Sequence, residues 1–529
     1  MTASLQESPN VGHRRLAAWI GVISWLGVLG ITIYRISVAS LATFPGHADR
    51  AFYFTTAKNI AAGNGFDITY IFHYLVNHPD LTHYAFDHWL PGGSFVNALG
   101  IVLFGPEVSS ALVISSIAAL GLALVTFLTC RQIGLDEPYP SVAALTVSVL
   151  LPVSTWAVQS EPVLVYAAAV VGSLLAMAKA KTNMRMWLWA GAGIGLAHAI
   201  RTDGLILLVT GLLVCFLWRE DTRAFLRNAV LLVVPYLLVM SPVFVMNQVN
   251  LGTPLPTTTA EFVALTRYEE IYSANPIQMP GVGEAIRARL DNVVEMALRL
   301  AVELGPNALI VLGALGLVAF VHGRTTRGER ARRPLFVVAG VYVAGLLFVH
   351  GVVVPAAASG GTWEKTFPTW LPFVVVGVVA VVAALPRRPQ MLAGSLLGVF
   401  VWVSVIGIPD ATRAQIADSN AVAAPLVAME PTLEAEETCL DRDVVVMTRD
   451  PWEFSEFTVR PSLQIPNDDL GTIREVANRY QATHLILPAP RESLSDRGAL
   501  VEVHGFAPVG VFESSELLRF PGLGEPGDC

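Results

Sequence analysis

The chain is predicted to be a polytopic α-helical membrane protein, with interfacial helices in its first long loop and a small soluble α/β domain at its carboxyl end. Three observations predict this. The 529 residues are 53% hydrophobic and only 14% charged, against roughly 25% charge in soluble globular chains. Apolar runs of about 15–22 residues recur over the first 410 positions, each near the ~20 residues that cross ~30 Å of hydrocarbon. Beyond residue 408 the runs shorten to strand length and charge returns.

Spans are expected at 16–35, 108–130, 140–158, 162–178, 186–200, 203–218, 226–246, 305–322, 334–354, 367–385 and 390–408, about 11 in all. The first follows Arg14 and Arg15 and lacks a small-residue cleavage site, so it reads as a retained anchor. Basic residues gather in short connections: Lys179, Lys181 and Arg185; Arg219, Arg223 and Arg227; Arg324, Arg327, Arg330, Arg332 and Arg333; Arg387 and Arg388. Short loops rich in Lys and Arg stay cytoplasmic. With the amino terminus inside, all of these and Arg131 fall inside, and 36–107, 159–161, 201–202, 247–304, 355–366 and 409–529 fall outside. The expected location is therefore the plasma (inner) membrane, multi-pass, with a cytoplasmic amino terminus and an extracytoplasmic carboxyl domain. The segment 93–104 (GSFVNALGIVLF) is apolar but short, and as a span it would place the later basic loops outside. It is expected to be re-entrant or interfacial.

Loop 36–107 is long, and long loops in compact proteins tend to be functional. It holds Asp49, Lys58, Asp67, Asp80, Asp87 and five histidines. Within it, HADRAFYFTTAKNIAAG puts Phe52, Ala57 and Ile60 on one face and stops at Gly63-Asn64-Gly65, which predicts a short helix lying on the membrane. In the tail, 443–448 (DVVVMT) and 483–488 (THLILP) read as buried strands, 470–480 as a helix between them and 452–457 as another. A small βαβ unit follows. Neither GxGxxG nor a Walker loop occurs there, so a nucleotide role has no support. The net charge of −8 disfavours a nucleic-acid partner. Of four cysteines, Cys130 and Cys215 fall near cytoplasmic ends, whereas Cys439 and Cys529 share the extracytoplasmic tail, where disulfides persist.

Candidate chemistry gathers at the outer face. Asp49 lies just beyond the first span and Glu161 in the tight turn SEP (160–162). A charge at a span boundary is costly unless solvated, paired or used. Simpler roles are open to both: an acid suits a helix amino end, and Glu161-Pro162 suits a first turn. Arg201 in RTDG (201–204) is placed to grip a phosphate, and Asp203 to pair with it. Lys58, Arg267 and Lys365 are further outer cations, and 360–367 (GGTWEKTF) adds Trp363 and Glu364. Tyr53, Asp87 and His88 complete a candidate pocket. The set His47, His73, His78, His83 and His88, near Asp80 and Asp87, would suit a divalent metal, with His47, His83 and His88 as the named candidates. Their spacing matches neither an i,i+4 pair nor HExxH, so no cofactor is assigned and a divalent metal stays open.

Taken in order, these residues are familiar. An Asp after the first span, the helix 53–61 leading into GNGF, WLPGGSFVNALGIVLFG (89–105), SEP, then GLAHAIRTDGLILL (195–208) resemble the GT-C membrane glycosyltransferases. The branch is that of protein O-mannosyltransferases and lipid A aminoarabinose transferases, and the likeness runs over 35–385. It implies an inverting transferase that moves a sugar from a polyprenyl-phosphate donor to an extracytoplasmic glycan, lipid or protein. Asp49 matches the family's first-loop catalytic carboxylate and Glu161 its second-loop acid. Two departures stand out: Arg50 follows Asp49 where many relatives carry a second acid, and WLPGG replaces the commoner Pro-Leu or Pro-Pro.

The expected enzyme uses Asp49 as general base, Arg201 and Lys58 on the leaving phosphate, and Glu161 to orient the acceptor. Residues 1–408 would form its catalytic membrane domain and 409–529 a soluble domain that binds acceptor or partner. Its partners would be the lipid-linked donor, membrane lipids and the acceptor. Two readings of another class stay open. One is a secondary transporter, although such folds show paired repeats and midplane sites. The other is a non-catalytic membrane scaffold whose tail binds a partner.

Overall fold

Backbone groups in hydrocarbon must be satisfied within their own segment, so apolar runs fold as helices. The computed structural model obeys this over the residues it describes, 11–256, 258–322, 329–487, 492–513 and 515–523. Up to the middle of the chain the helices are α1 (Val11–Ala39), α2 (Asp49–Ala62), α3 (Gly92–Phe104), α4 (Val108–Gln132), α5 (Tyr139–Val149), α6 (Leu151–Trp156), α7 (Val163–Ala180), α8 (Met186–Ile200), α9 (Gly204–Leu217) and α10 (Thr222–Leu251). Then come α11 (Thr258–Glu261), α12 (Val282–His322), α13 (Glu329–Phe348), α14 (Phe367–Ala384), α15 (Arg387–Ala421), α16 (Ala424–Leu440), α17 (Pro451–Thr458), α18 (Leu470–Arg479) and α19 (Arg497–Glu502).

Among the described residues seven helical stretches are long and apolar enough to cross a membrane, and α3, α5, α8 and α9 are apolar but shorter. The expected count of 11 is therefore not reached by length and composition. One expected span, 140–158, is broken in two because Leu150 is extended (φ −62°, ψ 137°) and Pro152 starts the next short helix. The side chains of another, 305–322 in α12, lie outside the described residues. The expected interfacial segment 93–104 is α3, whose 13 residues are too few to span.

The helix expected in the first loop is α2, and it stops where Gly63 turns left-handed at φ 75°. The same loop supplies three two-residue strands, β1 (Asp67–Ile68), β2 (Tyr70–Ile71) and β3 (His83–Tyr84). The tail supplies β4 (Val446–Thr448), β5 (Ser462–Gln464), β6 (His484–Leu487), β7 (Ala507–Phe512) and β8 (Ser515–Arg519). β1 and β3 pair antiparallel, and the other six form one sheet in the order β2-β5-β4-β6-β8-β7. From β2 to β6 the pairing is parallel, with Tyr70 opposite Ser462 and Val446 opposite both Ser462 and His484. Within the two expected strand segments β4 forms at Val446–Thr448 and β6 at His484–Leu487, and both tail helices form, but β5 and α17 make two crossovers instead of one.

The sheet is not a property of the tail alone. β2 comes from the first loop, and Ile71 sits in the same apolar cluster as Met447, Leu463, Leu485 and Leu518. The membrane helices have a separate core around Tyr166, Leu174, Trp187 and Val376. α15 runs unbroken past residue 408 to Ala421, joining the two regions. Cys529, which shares the tail with Cys439, lies outside the described residues, so a bridge between the two is not described.

Candidate active site

Two glycines bring the three sequence motifs together. A Cβ on Gly92 would lie 2.5 Å from the Ala199 carbonyl oxygen at the end of α8, and one on Gly93 would lie 2.5 Å from the Tyr53 ring and 2.7 Å from Pro162. Only glycine permits so close an approach. The start of α3 is thereby wedged between α2, the SEP turn and the RTDG turn. Polar contacts fix the wedge: Ser160 Oγ donates to the Arg50 carbonyl at 3.0 Å, Asn97 Nδ2 to the Ser160 carbonyl at 2.6 Å, and the Thr56 and Ser94 hydroxyls meet at 2.6 Å.

The result is a chain of alternating charges. Lys365 Nζ lies 2.5 Å from Asp49 Oδ2 and 2.9 Å from Glu161 Oε1. Arg201 lies 3.5 Å from the same Glu161 oxygen and 3.0 Å from Asp203 Oδ2, and His350 Nε2 lies 3.3 Å from Asp203 Oδ1. His350 reaches this point from a π-helical turn, Val349–Val353, that extends α13. Side-chain exposure falls from 17% at Asp49 to 4% at Glu161, so Asp49 is the acid nearer the mouth.

These neighbours push the two acids apart. Burial alone would raise Asp49, but the Lys365 cation and its hydrogen bond hold the carboxyl below its ordinary value. At Glu161 burial wins over the pull of Lys365 and Arg201, and the Asp49 charge adds to it, so that carboxyl is raised. Two carboxyl groups with opposite shifts are the usual mark of divided acid and base roles. Asp49 and Lys365 open on a cavity of about 130 Å³ whose other lining residues include Tyr53, His88, Trp89, Arg201, Tyr268 and His350. Leu90, Ile200, Phe262, Val349 and Val354 give it an apolar side.

Residues 78–246 match the family described as dolichyl-phosphate-mannose-protein mannosyltransferase. Among solved structures the fold recurs in ArnT from Cupriavidus metallidurans bound to undecaprenyl phosphate, with a TM-score of 0.57 at 14% identity over 97% of this chain and 99% of that one. Over residues 78–246 the chain resembles that transferase family, and over nearly its whole length it shares the fold of ArnT. The archaeal oligosaccharyltransferase AglB from Archaeoglobus fulgidus, in complex with an inhibitory peptide and a dolichol-phosphate, has the same fold, with a TM-score of 0.54 at 10% identity over 90% of this chain and 70% of that one. No curated protein gave a significant match.

The structure gathers Asp49, Tyr53, Glu161, Arg201, Asp203 and Lys365 into one site, with His88 on its wall. Other expected residues go elsewhere. Lys58 pairs with Glu456 of α17 at 2.6 Å, because nine residues along α2 it faces away from Asp49. Arg267 lines a different cavity with Glu269, Glu284 and Asp291. Glu364 pairs with Arg299 at 3.2 Å, and Trp363 is buried behind the site with its indole N–H on the Met296 carbonyl. His47 faces Glu453 at 3.0 Å and takes no part in a histidine cluster. Asp87 lies between His73 and His78. Burial and nearby His73 push the His88 imidazole down to about 3, so it is neutral and supplies no charge.

Four contributors to the site are not picked out by sequence reasoning. His350 looks like an ordinary polar residue in an apolar run, Tyr268 and Phe262 sit in a long loop without pattern, and Glu453 lies about 400 residues from the helix it holds. Of these, only His350 carries a sequence signal, since a histidine inside a span is itself a functional flag.

Proposed function

We propose that the enzyme transfers a sugar from a polyprenyl-phosphate donor to an extracytoplasmic acceptor, with inversion and with Asp49 as general base. The observation that carries this reading is that Asp49 and Glu161, 112 positions apart in the chain, share one lysine at the edge of one cavity. The donor class is supported by the two related structures, which hold undecaprenyl phosphate and a dolichol-phosphate. The apolar wall formed by Leu90, Ile200 and Phe262 suits the first isoprene units, and Arg201 and Lys365 suit the phosphate.

In the reaction Asp49 takes the proton of the acceptor hydroxyl as that oxygen attacks the anomeric carbon, and the sugar–phosphate bond breaks. Lys365 moves its hydrogen bond from Asp49 to the leaving phosphate. That shift frees the base at the moment it is needed. Arg201, held by Asp203 and behind it His350, stabilises the same phosphate, and Glu161 anchors both cations and orients the acceptor. In this reading residues 1–408 form the catalytic membrane domain and 409–529 an extracytoplasmic domain, the amino terminus is cytoplasmic, and the acceptor is a glycan, lipid or protein.

The test is transfer in nanodiscs, offering labelled polyprenyl-phosphate sugars one at a time. Asp49→Asn keeps the shape and removes the base, so turnover should fall roughly 10²-fold or more with donor binding retained. Normal transfer by that variant would end the assignment. Labelling of introduced cysteines should place positions 49 and 161 at the extracytoplasmic face.

A further inference from the structure

Beside the catalytic cavity, the first loop folds three imidazoles around one carboxylate. β3 carries His83, and the 3-10 turn Ala85–Asp87 that follows brings Asp87 back beneath it. Asp87 Oδ2 lies 2.7 Å from His78 Nε2 and 3.4 Å from His73 Nε2, and the side chains of Asp87 and His73 are each 1% exposed. The His83 ring stacks on His78 with centroids 3.7 Å apart. One ligand atom from each of His78, His83 and Asp87 lies within 4.8 Å of the others.

The polar accounting of this cluster does not close. Asp87 Oδ1 and His73 Nδ1 are buried with no hydrogen-bond partner, and His73 Nε2 has only its 3.4 Å contact with Asp87 Oδ2. Such atoms are costly to bury, and native structures rarely keep several at one place without a ligand. His83 Nδ1 donates to the Leu81 carbonyl at 2.9 Å, which leaves Nε2 as its lone-pair nitrogen. Backbone carbonyls set the tautomer of metal-bound histidines in the same way.

We propose that His78, His83 and Asp87 bind a divalent cation of the zinc type, with His73 within reach as a fourth donor. Imidazole nitrogens with one carboxylate form a donor set that suits zinc, and calcium or magnesium would need more oxygens. The site is distinct from the Asp49–Lys365 pair and acts on the wall between them. Next in the chain, His88 lines the catalytic cavity. The His78 carbonyl accepts from Arg479 at 2.8 Å and from the Tyr480 hydroxyl at 2.6 Å, and the Asp87 carbonyl accepts from Thr258 at 3.1 Å. A cation there pins the first loop at the point where the tail docks.

The experiment measures zinc in the full-length protein, purified in detergent without a polyhistidine tag, chelator-treated and then titrated with Zn²⁺. One zinc per chain is expected by elemental analysis, with a rise in thermal stability on rebinding. His83→Gln, at a half-buried position, should lose the zinc while remaining folded, and His73→Ala should weaken affinity about 10–100-fold. Asp49→Asn should keep full zinc, which separates this site from the catalytic pocket and from any failure of the catalytic assignment. No stoichiometric zinc in the wild-type protein, or undiminished zinc in both His83→Gln and Asp87→Asn, would overturn the proposal.

Discussion

Glu453 of α17 holds the backbone of Ala48: its Oε1 accepts the Ala48 amide at 2.9 Å and faces His47 Nδ1 at 3.0 Å. Ala48 immediately precedes Asp49, and its backbone is at φ 49°, ψ −119°, a conformation that a side chain makes costly. A residue of the tail thus fixes the turn that aims the proposed base.

Glu453→Ala should therefore act on turnover as well as on stability. Losing the acceptor of a constrained amide costs about 1–3 kcal/mol, and each ~1.4 kcal/mol that falls on the transition state is tenfold in rate. The expected outcome is a kcat lowered about tenfold with donor KM little changed, and a partial recovery in Glu453→Gln, which keeps an acceptor oxygen. Steady-state kinetics beside thermal unfolding checks this. A tail that served only stability would lower the melting point and leave kcat alone.

Lys365 is the cation most exposed to test, because it serves both acids. Lys365→Ala would leave two buried carboxylates facing each other, and removing one partner of a buried ion pair costs about 3–5 kcal/mol. Transfer should fall roughly 10²–10³-fold, the usual effect of losing one preorganised stabilising group. Lys365→Arg keeps the charge in a planar fork and should recover part of the loss. Lys58→Ala serves as the comparison: its partner is Glu456, so it should change rate little.

The contrast between those lysines shows what was legible in the sequence. Asp49, Glu161 and Arg201 stood out because each sits at the end of an apolar run, where a charge is conspicuous. Lys58 looked apt because it is close to Asp49 in the chain, yet nine residues of helix carry it half a turn round and about 13.5 Å along the axis. Lys365, 316 positions away, carries no sign in its spacing that it will meet Asp49. The same limit hid β2: two residues are too few to show a period, so its pairing with β5 was invisible beforehand.

The opposed shifts of the two acids predict the acid side of the pH profile. Glu161, raised by burial, gains its proton first as pH falls, whereas Asp49, held down by Lys365, stays ionised. Protonation of Glu161 loosens both cations, so activity falls as pH drops through a value above the ordinary glutamate pKa of about 4.3. In Glu161→Gln the residual activity should lose that limb, leaving a fall only at lower pH where Asp49 titrates. An unchanged limb in kcat/KM would assign it to another group.

Gly93 tests whether the wedge at the start of α3 assembles the site. A methyl group there would meet the Tyr53 ring at 2.5 Å and Pro162 at 2.7 Å, and both neighbours belong to the elements that carry Asp49 and Glu161. Neither is free to yield: Tyr53 is 2% exposed, and Pro162 is a rigid ring beside a buried turn. Overpacking of this kind costs about 1–3 kcal/mol, and here the strain is relieved by moving α2 away from the SEP turn. Gly93→Ala should therefore lower both melting point and transfer. Gly121→Ala in α4, where a Cβ meets nothing within 4 Å, should change neither. If Gly93→Ala lost stability while transfer by the folded fraction stayed normal, the spacing of the two acids would not depend on this contact.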